Sequence, residues 1–386
     1  MRILITGLST RAIAESAAQG GHSIVTLDYF GDRDQKDLVE NYSLKRDFQL
    51  PFTAEALVQA SRHLDFEAVV YISNLENHPE VVEALAQGRA LLGNAPTVLR
   101  QVRDWWTMRA FCREEGIACP ITLLPGEEKG ADPGDRWLRK RIRSGGGHGI
   151  RFWTGEPLDG AHFLQAYVEG QAASAVFVSN GRRSVVIGLA EQLIGRRELG
   201  AQGFTWCGNI LPLALPSAER AAVLEEVERM VGRLTRRFGL RGVNGVDFVL
   251  ANGPDGHPRP YLVEVNPRYT ASMELVERAY GLNIFSLHLE ALEGRLPNFS
   301  LTQHLDGPYF GKGIVYTRRT VTVSDTGRWR EHGRRDIPFS GERVRAGHPV
   351  CTVLAEGQTR QACWDHLLVG VEAVWQEIGD EGGGTP

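Results

Sequence analysis

The chain has 386 residues, enough for two or three packed domains rather than one small one. A hydrophobic content of 42%, a charged content of 23% and a net charge of −4 are ordinary for a globular protein, and they give no reason to expect nucleic acid or a membrane as a partner. The five cysteines include no C-x-x-C pair, which indicates neither a zinc site nor a disulfide framework, and no apolar run approaches a membrane span. We therefore expect a cytoplasmic protein with reduced cysteines.

The first hundred residues have a Rossmann-like pattern. Ile3–Thr6 is predicted to be a buried strand that turns at Gly7 into an Ala-rich helix, and 22–27 is predicted to be a second strand that ends before Asp28. Only Gly7 of the G-x-G-x-x-G fingerprint is present. A Rossmann-like scaffold without NAD is therefore favoured over a dinucleotide site.

A polar loop follows the next predicted strand, 68–72, and contains Glu76, Asn77 and His78. Parallel sheets bind ligands at the carboxyl ends of their strands, so these residues are candidates for substrate binding. The alternative is that they only cap the helix that begins near 80. Both interpretations stand at this point.

A helix is predicted over 98–116, and the domain boundary is placed at its start. A strand carrying Lys140 then runs into a glycine-rich segment before returning at 150–153. That segment consists of Ser144, Gly145, Gly146, Gly147, His148 and Gly149. Consecutive glycines leave backbone N–H groups free to close over phosphates, and Lys140 supplies a point charge, although the segment is not a P-loop. A flexible hairpin with a basic face is the alternative.

The rest of the chain alternates between strands and helices. An antiparallel sheet is predicted from runs at 163–170, 174–179 and 184–193, and Ser217–Phe238 is predicted to be an amphipathic helix that ends at Gly239. Helices are predicted at 269–280, Ile284–Leu292 and 362–377, with strands and turns between 308 and 362 and a flexible glycine-rich tail at the end.

Residues 243–268 carry the strongest functional signal. The β-prone runs 243–251 and 261–266 flank a segment rich in Asn, Gly, Pro and Asp, which predicts a hairpin. If its tip lies between Asp255 and Gly256, two carboxylates lie opposite one another across the two strands.

These carboxylates belong to Asp247 and Glu264, and Asn266 lies on the same face. Opposed like charges destabilise a sheet unless a positive charge lies between them. Carboxylate and amide oxygens suit Mg²⁺, which takes one or two carboxylates together with substrate phosphates. The alternative is a solvated face with two acids, but the nearby Arg268, which is suited to hold a phosphate or acyl phosphate, favours the metal site.

The order of these parts resembles the ATP-grasp superfamily over most of the chain, most specifically in Val-Glu-Val-Asn-Pro-Arg at 263–268 and Val-Asp-Phe at 246–248. The resemblance implies an α/β fold of the ATP-grasp (α+β) type. The implied parts are a Rossmann-like domain at 1–97, a two-lobed ATP-grasp domain at 98–300 and a small β-rich C-terminal segment at 301–386. The ATP-grasp domain would have its flap lobe at about 120–170 and its metal-site lobe at about 171–300.

The resemblance also implies roles for single residues. Asp247, Glu264 and Asn266 would hold Mg²⁺, with Mn²⁺ as an alternative. For ATP, the implied ligands are Lys140 for the phosphates, residues 144–149 as the flap, and Gln165, Tyr167 and Val168 for the adenine. Arg268 would stabilise the transferred phosphoryl group or the acyl phosphate.

Two departures from the superfamily pattern concern the nucleotide. Many members carry an Asp-Lys pair where this chain has Asp104 and Trp105, so one phosphate lysine is absent, and Arg103 is a hypothetical substitute. An acid that commonly binds ribose is also missing after Gly170. These departures, with Asp32, Asp34 and the segments 75–79 and 336–338, resemble a branch of ligases that join glutamate to tyramine or a related amine in methanofuran-type cofactor synthesis.

The implied reaction joins a small carboxylate to an amine through an acyl phosphate and releases ADP and phosphate. A homodimer is a possible assembly, since dimers are common in the superfamily. Substrate candidates besides the 76–78 loop are Trp206, Asn209, Tyr269 and Glu191. Three rivals are a different ATP-grasp reaction such as carboxylation or purine-precursor ligation, an ATP-binding regulator without turnover, and an NAD-dependent enzyme built on the first strands.

Overall fold

The computed structural model describes residues 1–132, 134–254 and 256–379. Most of the glycine-rich tail that was predicted to be flexible, and Asp255 at the predicted hairpin tip, lie outside these ranges. No helix in the described part of the chain is long and apolar enough to cross a membrane.

The N-terminal part is a five-stranded parallel sheet flanked by helices, in the strand order β3-β2-β1-β4-β5. Its elements are β1 (Ile3–Thr6), α1 (Arg11–Gln19), β2 (Ile24–Asp28), α2 (Arg33–Lys36), β3 (Glu40–Ser43), α3 (Ala54–Ser61), β4 (Ala68–Tyr71), α4 (Pro79–Leu85) and β5 (Ala90–Leu91). A 3₁₀ turn at Leu75–Asn77 follows β4. The carboxyl ends of β1, β2 and β4 therefore share one edge of the sheet.

The single helix predicted over 98–116 is wrong, because two helices occupy this stretch: α5 (Pro96–Val102) and α6 (Trp105–Glu114). The break has a local cause. The Asp104 carboxylate accepts the backbone N–H of Thr107 at 2.9 Å, so it caps a new helix. The chain turns at Arg103, whose side chain is thereby directed to the predicted metal site.

A four-stranded sheet of order β6-β9-β7-β8 follows, made of β6 (Thr122–Leu123), β7 (Trp137–Arg141), β8 (Arg151–Phe152) and β9 (His162–Ala166). We call this sheet with its 144–149 loop the flap lobe. Lys140 lies opposite Phe163 in the antiparallel pair of β7 and β9. The predicted strand–glycine loop–strand order is confirmed.

The central sheet has eight strands, in the order β14-β13-β10-β11-β12-β15-β19-β17. In chain order, the elements from residue 171 onwards are β10 (Gln171–Asn180), β11 (Ser184–Ile194), β12 (Trp206–Leu211), α7 (Ser217–Phe238), β13 (Arg241–Asn252), β14 (Pro258–Asn266), α8 (Met273–Tyr280), α9 (Ile284–Leu292), β15 (Tyr309–Tyr316), β16 (Val321–Thr322), β17 (Arg334–Arg335), β18 (Arg343–Val344), β19 (Pro349–Gly357) and α10 (Arg360–Glu377). Of these, β16 and β18 form a separate two-stranded sheet. Strands from beyond residue 301 therefore complete the sheet that carries the predicted metal site.

Alternate side chains of β10 point into two different apolar clusters, as the strand period requires. Phe177 packs on the α7 side with Val227. Val178 packs on the other side, with Phe285 of α9 and Ile5 of the N-terminal sheet. The second cluster holds the N-terminal domain against the central sheet.

Glu277 of α8 is a titrating residue in this contact, where it accepts hydrogen bonds from Ser16 Oγ and from the backbone N–H of Ile284 at 2.7 Å. Burial raises the pKa of Glu277 from its usual value to about 7. A carboxyl group whose pKa is higher in the folded state lowers stability as the pH rises through that value, and has no such effect below its unfolded pKa. We expect Glu277→Gln to raise the midpoint of thermal unfolding more at about pH 8 than at about pH 5. Equal shifts at the two pH values in scanning calorimetry would contradict this.

Candidate active site

The predicted pairing of the acidic hairpin is confirmed. Asp247 lies opposite Glu264, and Gly245 lies opposite Asn266. A bulge between Asp247 and Phe248 shifts the register by one residue towards the turn. The sequence did not predict this bulge. If the register observed nearer the turn continued unchanged to Asp247, Asp247 would lie opposite a residue other than Glu264.

Asp247 is held by two amides. Its Oδ1 accepts a hydrogen bond from Gln192 Nε2 at 2.8 Å, and its Oδ2 accepts one from Asn266 Nδ2 at 2.9 Å. Burial and the neighbouring Glu264 raise the pKa of Asp247 to about 7, against the effect of these bonds. The carboxyl group therefore lies where a bound cation would stabilise its ionised form.

Glu264 is paired with Arg103, and both side chains are largely buried. Arg103 also donates to Asn77 Oδ1 at 2.9 Å and to the backbone carbonyl of Ser144 at 3.4 Å. Asn77 Nδ2 donates to the same carbonyl at 3.3 Å. Arg103 and Asn77 thus tie the N-terminal loop, the metal-site strand and the base of the flap together.

Arg268 donates to Glu76 Oε1 at 2.6 Å and to Asn266 Oδ1 at 3.1 Å. Burial disfavours the charged form of Glu76, but Arg268 outweighs it and keeps the pKa of Glu76 below its usual value. In the described part of the chain, Glu76 Oε2 and Arg268 Nε are buried without a hydrogen-bond partner. One acceptor and one donor are therefore left for a ligand beside the acidic pair.

Lys140 lies on β7 of the flap lobe, within range of the charges of Glu264 and Asp247. Its side chain is buried, Nζ donates to Gln165 Oε1 at 3.0 Å, and Gln165 Nε2 donates to Thr122 Oγ1 at 3.3 Å. Burial lowers the pKa of Lys140, and the nearby Glu264 only partly offsets this. A cleft between the flap lobe and β14 is lined by Gln165, Glu264, Arg103 and Trp105 among others.

The flap is folded against the segment before β12. The backbone N–H of Trp206 donates to the carbonyl of Gly146 at 3.0 Å. Tyr167, at the predicted hinge before Val168, lies edge-on to Phe152 and Phe204. The flap tip contacts the start of β12, and Tyr167 of the hinge contacts Phe204 in the segment before it.

Gly147 cannot carry a side chain in this arrangement. Its φ is +75°, and a Cβ there would lie 1.8 Å from the carbonyl oxygen of Phe204. A left-handed conformation costs a non-glycine residue about 1–2 kcal/mol, and the clash adds to this cost. We expect Gly147→Ala to weaken ATP binding about tenfold or more, measured as KM for ATP. A Cβ at Gly145 would meet no heavy atom within 4 Å, so Gly145→Ala should have a much smaller effect, and equal effects would contradict the contact.

Two carboxylates, an amide oxygen and a neighbouring arginine fit the magnesium site that the superfamily resemblance implies. The opposed carboxylates and the raised pKa of Asp247 leave a place for positive charge between the strands. No group of three or more His, Cys, Asp or Glu side chains suited to a metal occurs in the described ranges, so phosphate oxygens would have to complete the coordination.

The remaining substrate candidates, Asn209, Glu191 and Tyr269, do not all lie on the face of the central sheet that carries Asp247. Asn209 pairs with Gln192 across β11 and β12, so it lies on the face of Asp247. Glu191 lies on the other face, where Arg360 of α10 donates to both of its oxygens, so its candidacy as a substrate ligand is wrong. Tyr269 is 6% exposed and belongs to the apolar cluster beneath the N-terminal domain, which makes it a packing residue.

Residues 102–272 match the family model described as an ATP-grasp domain. The mixed α/β fold predicted for the chain is confirmed. An uncharacterised protein of Methanocaldococcus jannaschii is 20% identical over 378 residues, which cover 92% of this chain and 88% of that protein. A probable alpha-L-glutamate ligase of Pasteurella multocida is 27% identical over 315 residues, which cover 77% of this chain and 95% of that protein.

Solved structures show the same fold. A Rhizobium etli pyruvate carboxylase superposes with a TM-score of 0.71 at 16% identity, over 97% of this chain, which spans only 37% of that protein. A biotin carboxylase of Campylobacter jejuni gives 0.70 at 14% identity, covering 98% of this chain and 91% of that one. An L-amino acid ligase of Bacillus licheniformis gives 0.66 at 15% identity, covering 97% of each chain. At these identities the likeness concerns the fold alone.

Gln192 and the bridging role of Arg103 were missed from the sequence. Gln192 lies in an alternating strand and has no motif around it, so only the pairing of β11 with the strands beyond it places its amide on Asp247. Arg103 was noted only as a substitute for a lysine. Its position before the helix-capping Asp104 is the one local signal of a bend that directs it elsewhere.

Proposed function

We propose that this protein is an ATP-dependent ligase that activates a carboxylate as an acyl phosphate and joins it to an amine, releasing ADP and phosphate. The observation that carries the proposal is the grouping of Asp247, Glu264 and Asn266 with Arg268, beside a buried Lys140 on which the charges of Glu264 and Asp247 act. The ATP-grasp match and the similarity to a probable glutamate ligase support the same class of reaction.

Different residues bind the different parts of ATP. Gln165 and the backbone of Tyr167 and Val168 bind the adenine edge, and residues 144–149 cover the phosphates with their backbone N–H groups. Lys140 offers a positive charge to the transferred phosphoryl group. Mg²⁺, when held by Asp247, Glu264 and Asn266, supplies further charge neutralisation there.

The reaction then proceeds in two steps. A carboxylate oxygen attacks the γ-phosphorus and the bond to the β-phosphate oxygen breaks, so ADP leaves. The amine nitrogen next attacks the acyl carbon, phosphate departs with the bonding electron pair, and the amine proton goes to it. Arg268 stabilises the phosphoryl oxygens in both steps, and its Nε, which has no hydrogen-bond partner among the described residues, supports this role. No side-chain nucleophile is needed.

The substrates are the finer part of the proposal. The resemblance to the methanofuran-type branch suggests glutamate with tyramine, and Glu76, Asn77, Trp206 and Asn209 are the residues proposed to face them. Glu76 has the most direct support, because its Oε1 accepts from Arg268 and its Oε2 has no hydrogen-bond partner in the described ranges. Asn77 accepts a hydrogen bond from Arg103, and Asn209 lies on the face of the central sheet that carries Asp247.

The test is ADP formation from ATP and Mg²⁺ with glutamate and a panel of amines that includes tyramine and tyrosine. We expect ADP and phosphate to appear in equal amounts only when a carboxylate and an amine are both present. ADP formed with bicarbonate and no amine would instead favour a carboxylase. ATP binding without ADP formation across carboxylates and amines would favour the regulator.

A further inference from the structure

Glu264 already has a cation of the protein as its partner. Arg103 Nη1 donates to Glu264 Oε1 and, at 3.2 Å, to the backbone carbonyl of Val265. Both charged side chains are largely buried, which makes the hydrogen bond between them a strong one. Since Glu264 is one of the two carboxylates proposed to hold Mg²⁺, Arg103 holds an oxygen that the metal ion would otherwise bind.

The charges of the protein around this contact already balance one another. Arg268 donates to Glu76, and the charges of Glu264 and Asp247 act on Lys140. Counted in their ionised forms, three cations therefore accompany three carboxylates. A divalent cation added to this set alone would leave positive charge without a partner among largely buried groups, which is unfavourable. The metal ion must enter together with anions, or one of the protein's cations must leave its carboxylate.

The other hydrogen bonds of Arg103 are weaker and point towards the flap. They are made to two neutral acceptors, Asn77 Oδ1 at 2.9 Å and the backbone carbonyl of Ser144 at 3.4 Å. The charge of Arg103 also acts on Lys140. Arg103 thus lies between the acidic strand and the base of the flap, which the proposed function places over the phosphates of ATP. A phosphate offers a guanidinium two parallel hydrogen bonds, enough to replace the contact with Glu264.

We propose that Arg103 stands in for the metal ion before nucleotide binds, and moves from Glu264 to the nucleotide phosphates when ATP and Mg²⁺ bind together. The inference rests on the proposed function, namely on its Mg²⁺ site. The phosphates draw Arg103 away from Glu264, and Glu264 is then available to the cation. Nucleotide and metal ion therefore strengthen each other's binding, and Arg103 is the residue that couples them.

The experiment measures the binding of Mn²⁺, a paramagnetic probe for the Mg²⁺ site, by electron paramagnetic resonance without nucleotide. We expect Arg103→Gln to bind Mn²⁺ at least about tenfold more tightly than the wild type, because the ion pair that competes for Glu264 is gone. Arg103→Lys keeps the positive charge and should bind Mn²⁺ more weakly than Arg103→Gln.

The second measurement is the affinity for ADP at saturating Mn²⁺, by calorimetric titration. Arg103→Gln should weaken ADP binding at least about tenfold, because the phosphates lose a cation. The two effects have opposite signs, whereas a purely structural role of Arg103 would weaken both kinds of binding. Arg100→Gln is the matched control: Arg100 lies one turn earlier on α5 and pairs with Glu83 at the surface, so both affinities should equal those of the wild type.

Thermal unfolding checks that the variant is folded. Arg103→Gln leaves Glu264 without its cation, so its midpoint should be lower than that of the wild type in EDTA and should rise more on addition of Mn²⁺. Unchanged or weaker Mn²⁺ affinity of Arg103→Gln without nucleotide overturns the inference. These measurements need no turnover, so a failure to find substrates that give ADP would count against the proposed reaction alone. Absence of Mn²⁺ binding in every variant with ADP present would overturn the inference together with the metal site.

Discussion

Glu264→Gln is expected to lower the rate of ADP formation about 1,000-fold while leaving the fold intact. The substitution removes one of the two carboxylates proposed to hold Mg²⁺, and a metal is worth several kcal/mol of transition-state stabilisation, at about 1.4 kcal/mol for each factor of ten. The amide keeps the volume of the side chain and one acceptor oxygen for Arg103. Initial rates at saturating ATP, with Mg²⁺ varied, measure the effect.

The control for this change is Glu225→Gln, an exposed position on α7 far along the chain from the cleft. It should retain the wild-type rate. The Glu264 variant should also retain the thermal midpoint within a few degrees, so that lost activity is not lost folding. A Glu264→Gln protein with wild-type turnover would remove the metal role from the hairpin.

Arg11→Ala is expected to have the largest effect on stability, about 3–5 kcal/mol in the free energy of unfolding. Arg11 is 1% exposed and donates to Glu274 and Asp336, so its removal leaves buried carboxylates without their cation. These partners lie on α8 and directly after β17. The variant should therefore loosen the contact of α1 with α8 and with the segment after β17.

Urea unfolding followed by tryptophan fluorescence measures this change. Arg236→Ala, at an exposed position near the end of α7, is the matched control and should shift the free energy of unfolding by no more than about 0.5 kcal/mol. A loss below about 1 kcal/mol for Arg11→Ala would show that the cluster is not what holds the parts together.

The elements with strong local patterns were predictable from the sequence. Ser217–Phe238 has an apolar face at helical spacing and a glycine with φ of +68° immediately after it, so both of its ends were predicted correctly. Helix Ile284–Leu292 was also predicted with its observed bounds. The stretch 98–116 failed because its hydrophobic spacing continues through Arg103, and only the capping bond of Asp104 interrupts the backbone.

The sheet neighbours of β15 and β19 could not be predicted. Their hydrogen bonds to β12 and to one another join residues far apart in the chain, and no local propensity specifies such a pairing. The charge cluster of Arg11, Glu274, Lys312 and Asp336 depends on the same long-range order. Nothing local in the sequence indicates that these four side chains meet.

The hairpin was predictable because its two strands are close in sequence and its turn is rich in turn-forming residues. The pairing of Asp247 with Glu264 was predicted correctly. Nearer the turn the observed register differs by one residue from the predicted register, and the bulge after Asp247 compensates for this difference. Side chains that converge from other strands, such as Gln192, needed the structure. The roles of Lys140, Gln165 and the flap in binding ATP stay predictions.

The most direct test of the ligase proposal is to follow oxygen from the carboxylate. Glutamate labelled with ¹⁸O in its carboxyl groups is incubated with ATP, Mg²⁺ and the amine that gives the fastest ADP formation, and the released phosphate is analysed by mass spectrometry. An acyl phosphate intermediate predicts one ¹⁸O atom in each phosphate, because the carboxylate oxygen that attacked the γ-phosphorus leaves with it. Phosphate without label, or release of AMP and pyrophosphate, would contradict the account.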